Sequence, residues 1–352
     1  MNNSVKILGL INEKNDPASR ARILQYIPSL EREQIFVKPR VFHFNENSDP
    51  AAWMFKVGKI TSINPWRLLW LAKNITRLPL LYEQFKYDLI WQNRLILKRQ
   101  SWCEKKIQIP RIFDFDDAIW LQDGEKEVQK AISSAVQVFA GNEYLADYAS
   151  QYSSNVCIIP SVIDTSALYP IKGKDGPFTI GWIGSAPNLP YLELVKPAID
   201  QFLQQNPDTC FTIVSSSPGN IFNYDNRRIR FIPWSTEKEN ELINSFSVGL
   251  MPLQDTSFTR GKCSFKMLQY MACGVPVLVS PVGSNELILR ESQAGLSATD
   301  TNSWLTGLRT FKEDHDFYTQ TSGNGPGFVE SHYSVNKYAP RIADCFRNLI
   351  VK

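Results

Sequence analysis

Apolar runs recur along the chain, each followed by a polar stretch and then by apolar positions at helical spacing. In the N-terminal half the runs fall at 5–11, 34–44, 88–97, 109–118, 135–140 and 156–160. In the C-terminal half they fall at 178–184, 210–215, 228–232, 248–253, 275–280 and 294–298. Unbroken apolar runs, rather than strict alternation, are the mark of strands covered on both faces, as in parallel sheets flanked by helices. Helical spacing is read at 19–30, with Ile23, Ile27 and Leu30 on one side, and at 143–150, 185–205, 236–246 and 265–272. It returns from 301 onward and at 335–351, where Ile342, Phe346, Leu349 and Ile350 share a side. Strand and helix in alternation predict two doubly wound, Rossmann-like α/β domains. Residues 162–177 are rich in Pro, Gly and charge and read as the linker between them. The domains are accordingly expected at 1–165 and 175–333.

Composition narrows the class. The chain has 352 residues, 43% apolar and 21% charged, which suits two ordinary globular domains. A net charge of +3 is too small to argue for a nucleic-acid partner, and none is expected. The six cysteines are scattered, form no CxxC pair and do not cluster with the three histidines. That pattern reads as reduced thiols in a cytoplasmic protein, with no metal site. No run reaches the ~18 apolar residues of a membrane span. The N-terminal apolar run is too short for a signal peptide and reads as a first strand. Residues 53–82 differ in character. They hold Lys56, Lys59, Arg67, Lys73 and Arg77, no acidic residue, and three tryptophans among leucines. Two readings stand: a basic amphipathic surface for contact with a membrane, or a helix pair that packs Leu68, Leu69 and Leu71 into the core.

The chemistry concentrates in 248–286. A buried strand is followed by a loop with Arg260, Gly261 and Lys262. A short helix comes next, with Ser264 read as its N-cap and Gly274 and Pro276 after its end. A second strand leads to Gly283, then to another helix with Ser284 as cap and Glu286 in its first turn. Unpaired N–H groups at two helix starts, with Arg260, Lys262 and Lys266 nearby, are suited to an anion. Lys266 and Gln269, three apart, share a helix face. They offer a cation for a phosphate and an amide for a hydroxyl; the plainer reading is a solvated face. The turn after 178–184 carries Gly184 and Ser185, whose backbone can approach a phosphate. Trp234 is read either as a base-stacking residue or as a core or rim tryptophan. In the first half, 109–118 ends in Asp114, Asp116 and Asp117. A D-x-D can hold Mg²⁺ or Mn²⁺ on a diphosphate, the acids can handle an acceptor hydroxyl, or they can cap the following helix. Arg20 and Arg22 are read as an acceptor or phosphate contact, or as surface arginines.

The stretch RGKCSFKMLQYMACGVPVLVSPVG resembles the donor-site signature of group-1 retaining glycosyltransferases of the GT-B fold, in the branch with a Gly-Lys-Cys loop and a Gln-Tyr-Met-Ala helix. ASRARILQYIPSLE, FDFDDAIW, AGNEYLADYA and IGWIGS match in order. The resemblance implies two Rossmann-like domains facing a central cleft, with a last helix, 335–352, packed back on the first. It implies transfer of a sugar from a nucleotide-diphosphate donor to a hydroxyl of a glycan or lipid-linked glycan in surface polysaccharide synthesis, with no cofactor or metal. The expected place is cytoplasmic, at the inner face of the membrane. Lys262 and Lys266 would meet the diphosphate, Gln269 the ribose, and Gly283 and Glu286 the sugar side. Asp114, Asp116 or Asp117 would orient the acceptor, with Arg20 and Arg22 facing the cleft. Many members carry two glutamates separated by seven residues; here those positions hold Gly261 and Gln269. Their loss motivates the alternatives of a non-enzymatic sugar-nucleotide-binding subunit or another enzyme of this fold, such as a nucleotide-sugar epimerase.

Overall fold

The computed structural model describes residues 4–41, 64–95, 104–171, 176–222 and 226–350. The chain divides into two compact units, Met1–Pro160 with Tyr338–Lys352, and Ser161–Lys337. The first is built on β1 (Val5–Ile11), β2 (Ile35–Val41), β3 (Leu89–Asn93), β4 (Arg111–Phe115), β5 (Gln137–Ala140) and β6 (Val156–Ile158). They pair in parallel in the order β2-β1-β3-β4-β5-β6. The second is built on β7 (Phe178–Ile183), β8 (Thr209–Ser215), β9 (Ile229–Pro233), β10 (Val248–Met251), β11 (Val277–Val279) and β12 (Gly295–Ser297). These pair in parallel in the order β12-β11-β10-β7-β8-β9.

Burial explains the apolar runs. Every residue of β3, β4 and β8 is buried. In the second unit alternate residues enter two separate clusters. Ile180, Trp182, Phe211, Ile213, Leu250 and Leu278 pack on one face with the helices Lys196–Gln205 and Thr301–Glu313. Ile183, Val214, Met251, Val277 and Val279 pack on the other with Phe265–Ala272 and His315–His332. In the first unit Trp91 is the hub, with ring centroids of Tyr26, Phe139 and Phe346 at 6.0, 6.3 and 5.3 Å. Phe346 comes from the helix Val335–Ile350, whose Ile342, Ala343 and Phe346 are buried.

Each chain path reverses direction across its sheet once. In the first unit it runs from β1 to β2, then returns to β3 on the other side of β1; in the second it runs from β7 through β9, then returns to β10 beside β7. The loops at the carboxyl ends of such neighbours diverge and leave a crevice, the usual ligand site of open α/β sheets.

Several elements depart from the sequence pattern. The expected helix at 19–30 is Pro17–Arg22, a 3-10 turn Leu24–Tyr26 and Ile27–Arg32. Pro28 lacks the N–H that would continue the first helix into the last. The region 185–205 begins as a 3-10 helix, Ala186–Leu194, containing Pro187 and Pro190. The helix at 236–246 is shortened to Glu239–Asn244. His315–His332, with Ser-Gly-Asn-Gly-Pro-Gly inside it, is a helix that propensity argues against. Packing decides it: a Cβ on Gly325 would lie 2.6 Å from the Met271 carbonyl oxygen, so only glycine allows the two helices to come so close. In 53–82, the described part contains the helices Pro65–Ile75 and Leu80–Glu83, and Leu71 is exposed rather than packed in the core. Residues 53–63 lie outside the described residues. Among the described residues no helix is long and apolar enough to cross a membrane.

Candidate functional site

In the second unit the crevice lies between the carboxyl ends of β7 and β10. After β10 the chain forms the helix Ser257–Arg260, closed by a Thr256–Thr259 capping box, then Gly261 and Lys262. Arg260 is exposed and bound in two-pronged fashion to Asp255, at 2.7 and 2.9 Å. The Lys262 Nζ lies 5.0 Å from the Phe258 ring centre and 5.9 Å from that of Tyr191. The Lys266 Nζ lies 5.8 Å from the Trp182 ring. Both lysines are half-buried. Aromatic faces attract an ammonium group by its charge.

Gly184, at the end of β7, completes this wall. A Cβ there would sit 2.5 Å from the Lys266 Cε and 2.7 Å from the Trp182 ring, so the lysine stem occupies the room that glycine leaves. The Ser185 Oγ accepts from the Asn188 amide at 2.7 Å. The backbone around the lysines is fixed from beneath. Buried Tyr270 accepts from the Ile183 N–H at 2.9 Å and donates to the Leu250 carbonyl at 3.2 Å, tying the helix to the ends of β7 and β10. Burial raises the Tyr270 pKa, which keeps it a donor.

Two caps differ from the sequence reading. Ser264 does not cap the helix it precedes. It is buried at φ 55°, and its Oγ donates to the Asn285 Oδ1 at 2.6 Å. Ser284 lies inside the helix Ser284–Ser292, with Gly283 at the cap position at φ 57° and no side-chain cap. Asn285 in turn donates to the Ser280 carbonyl at 3.0 Å, so side chains link the two helix starts. Glu286, in the first turn of the second helix, is exposed.

Gln269 is not a solvated residue. It is buried, and its amide donates to the Glu239 Oε1 at 3.0 Å. The Trp234 indole N–H donates to the same oxygen at 3.0 Å. Glu239, itself buried, was missed in the sequence. In the sequence it is one of three alternating glutamates, Glu237, Glu239 and Glu241, with nothing to single it out.

In the first unit the crevice lies between β1 and β3. Asp16 caps the helix Pro17–Arg22 by accepting from the Ser19 N–H at 2.9 Å. Arg20 is half-buried on that helix. Arg94, just past β3, is held at φ 56°, a conformation that costs a non-glycine residue about 1–2 kcal/mol. Its guanidinium binds Asp116 at 2.8 and 2.6 Å and Asp117 at 2.7 Å. Desolvation would lower the Arg94 pKa, but attraction to Asp116, Asp117 and Asp16 outweighs it and the pKa is raised. Asn93 is buried, and neither its amide nitrogen nor its oxygen finds a hydrogen-bond partner among the described residues. A buried unpaired amide at a sheet's switch point is a candidate for contact with a ligand. Arg94 and Asn93 were both missed; they fall inside the run 88–97 read as a strand, which ends at Asn93 in the structure.

Asp114 and Arg22 lie beneath that edge, where burial keeps both side chains from the acceptor contact expected of them. Both are fully buried. Asp114 accepts from the Arg22 Nε at 2.7 Å and from the Trp91 indole at 2.8 Å, and Arg22 also donates to the Ile159 carbonyl at 2.7 Å. The pair fastens the first helix to β4 beneath the edge. Burial pushes the Asp114 carboxyl up to about 6, against the pull of Arg22 and Trp91. Among the described residues no three His, Cys, Asp or Glu side chains are grouped to hold a metal ion.

Residues 177–314, within the second unit, match the family described as glycosyl transferases group 1. No curated protein matches the sequence. Among solved structures, sucrose-phosphate synthase from Thermosynechococcus elongatus superposes with a TM-score of 0.70 at 13% identity, over 99% of each chain. HepE from Anabaena, in complex with UDP and glucose, superposes with a TM-score of 0.68 at 15% identity, over 97% of this chain and 99% of that one. Starch synthase IV from Arabidopsis thaliana, bound to ADP and acarbose, gives 0.67 at 10% identity, over 99% of each. The two parallel six-stranded sheets are the GT-B fold of these glycosyltransferases.

Proposed function

We propose that this chain, whose residues 177–314 carry a group 1 glycosyltransferase domain within a GT-B fold, is a retaining, hexosyl-type glycosyltransferase. It takes its sugar from a nucleotide-diphosphate donor and passes it to a hydroxyl of a glycan or lipid-linked glycan, in surface polysaccharide synthesis in the cytoplasm. The observation that carries the reading is the placing of Lys262 and Lys266 at the switch point of the second sheet, beside Gly184. The similar structures solved with UDP and with ADP differ in base and share the diphosphate, which supports a site built around that group.

In the reaction the bond from the sugar's anomeric carbon to the diphosphate oxygen breaks, and a bond to the acceptor oxygen forms. The acceptor's proton passes to the departing phosphate. Negative charge grows on the leaving group, and cations fixed in advance stabilise it; losing one such donor costs about 3 kcal/mol in well-studied enzymes. Lys262 and Lys266 take this part, with Gly184, Ser185, Gly261, Ser264 and the start of the helix Phe265–Ala272 as the backbone wall. Gln269 and Trp234 lie toward the nucleoside, Gly283 and Glu286 toward the sugar. Arg260 serves as a rim charge shared with Asp255. On the acceptor side the roles fall to Arg20, Asp116 and Asp117, with Asn93 beside them. Arg94 pairs with both acids, and we read the reaction as one that runs without metal. Contact of residues 53–82 with a membrane surface would bring the enzyme to a lipid-linked acceptor.

Thermal unfolding with UDP, GDP, ADP and TDP tests the donor half. A ligand at 100 times its Kd stabilises the folded state by about 2.7 kcal/mol. One nucleotide should raise the melting temperature in parent protein and not in the Lys262→Ala/Lys266→Ala variant. No shift with any of them, or an equal shift in the variant, sinks the assignment. The absent carboxylates at Gly261 and Gln269 favour one second reading, a sugar-nucleotide-binding subunit without turnover. Binding with no transfer to any of a panel of acceptors would select it.

A further inference from the structure

From Pro65 to Lys86 the backbone follows a nearly continuous helical path: the helix Pro65–Ile75, a turn through Pro79, the helix Leu80–Glu83 and the 3-10 turn Gln84–Lys86. Leu71, Ile75, Leu78, Tyr82 and Phe85 recur along it at steps of four and three residues. That spacing keeps side chains on one side of a helix, normally the side that faces a core. Here the five are 41%, 52%, 43%, 83% and 60% exposed, in that order. The inward positions are Asn74, Arg77, Leu80 and Gln84, all buried. Trp66, 58% exposed, stands at the start of the same path. Single exposed apolar residues are ordinary on any protein; a continuous row of five large ones is not.

The charge along the described path is mainly positive. Arg67 and Lys86 are exposed and Lys73 is half-buried, whereas Arg77 is buried beneath the row. Glu83 is the one acid from 64 to 86, and it lies 3.5 Å from Arg40.

We propose that this row is a membrane-docking surface whose partner is the headgroup layer of an anionic bilayer. Tryptophan and tyrosine suit the polar boundary, the aliphatic side chains reach the acyl region, and the cations meet anionic lipid. The proposal deepens the glycosyl-transfer reading, on which it rests for its purpose: it selects a lipid-linked acceptor. A second copy of the chain is the competing occupant of a four-three row. A two-fold contact with the rows antiparallel would set Arg67 against Lys86 of the second copy, like charge against like, and charge therefore favours the bilayer.

The test is sedimentation of the full chain with vesicles of phosphatidylcholine, with and without phosphatidylglycerol. Binding to the anionic vesicles should exceed that to the neutral ones by about tenfold or more and weaken with added salt. Ile75→Ser/Phe85→Ser should lower it by about tenfold or more with an unchanged melting temperature, because both side chains are already exposed. Absence of binding to the anionic vesicles overturns the proposal, as does equal binding by the variant. A dimer seen by light scattering and dissolved by the same variant overturns it in favour of self-association. Vesicle binding is read without donor or acceptor, and turnover on a soluble acceptor is read without vesicles. Failure of either reading is therefore distinguishable from failure of the other.

Discussion

Beside the switch point of the first sheet stand Asp16, Asn93, Arg94, Asp116 and Asp117; beside that of the second stand Gly184, Arg260, Gly261, Lys262 and Lys266. The same turn of topology has produced two crevices with opposite chemistry. In the first, side chains are fixed by one another: one guanidinium sits among three carboxylates. In the second, the backbone is fixed from below by Tyr270 and by the Ser264–Asn285 bond, and the ammonium groups rest on aromatic rings. A diphosphate would be repelled by the acids of the first and drawn to the lysines of the second. Hydroxyls, which can donate to a carboxylate and accept from an amide, suit the first. Topology supplies the place, and charge decides what each place can hold.

The comparison breaks most severely under the acidic edge. Arg22→Met leaves the Asp114 carboxylate buried without its charge partner and should cost about 3–5 kcal/mol in urea unfolding. Arg22→Met with Asp114→Leu removes both charges and should recover most of that loss. An equal loss in the double variant would mean that packing, and not the pair, fastens the first helix. The pH dependence has a definite sign. Folded Asp114 holds its proton more tightly than the unfolded chain, with its pKa pushed up to about 6. Its contribution to stability is present in full below the unfolded value of about 4 and is lost as pH rises through about 6. Unfolding measured across that window should show the decline, and Asp114→Asn should flatten it.

Next comes the cationic edge. Lys266→Ala should lower kcat/KM by about a hundredfold, the equivalent of ~3 kcal/mol, with the fold retained, since the side chain is half-buried. Asp116→Asn should spare the nucleotide-induced shift in melting temperature and raise the acceptor KM instead. If the aspartate variant lost nucleotide and the lysine variant lost only acceptor, the two crevices would have to exchange roles.

Much of this was legible before any coordinates. Buried strands announce themselves as apolar runs, and the long motif in 248–286 places Lys262 and Lys266 by local pattern alone. What escaped depended on distant partners. Whether Ser264 caps its helix turns on Asn285, 21 residues on. Whether Arg22 meets solvent turns on Asp114, 92 residues on, and on the burial of both. Arg94 and Asn93 gain meaning only from the return of the chain beside β1. His315–His332 is helical because a neighbouring backbone requires small residues there, while its own glycines argue for a loop.

The smallest effect concerns Glu239. Glu239, on the helix Glu239–Asn244, accepts from both Gln269 and Trp234 at 3.0 Å, which sets a carboxylate beside the residue we assign to the ribose. Glu239→Gln preserves the shape and an acceptor oxygen for both partners, so the fold should hold. If the carboxylate reads a ribose hydroxyl, directly or through Gln269, the variant should bind a ribonucleoside diphosphate about five- to tenfold more weakly, as expected for one hydrogen bond of about 1 kcal/mol. It should bind the 2′-deoxy analogue as the parent does. A merely structural role predicts the same change for both nucleotides. Equal change, or none, would remove the Glu239 carboxylate from the nucleoside side.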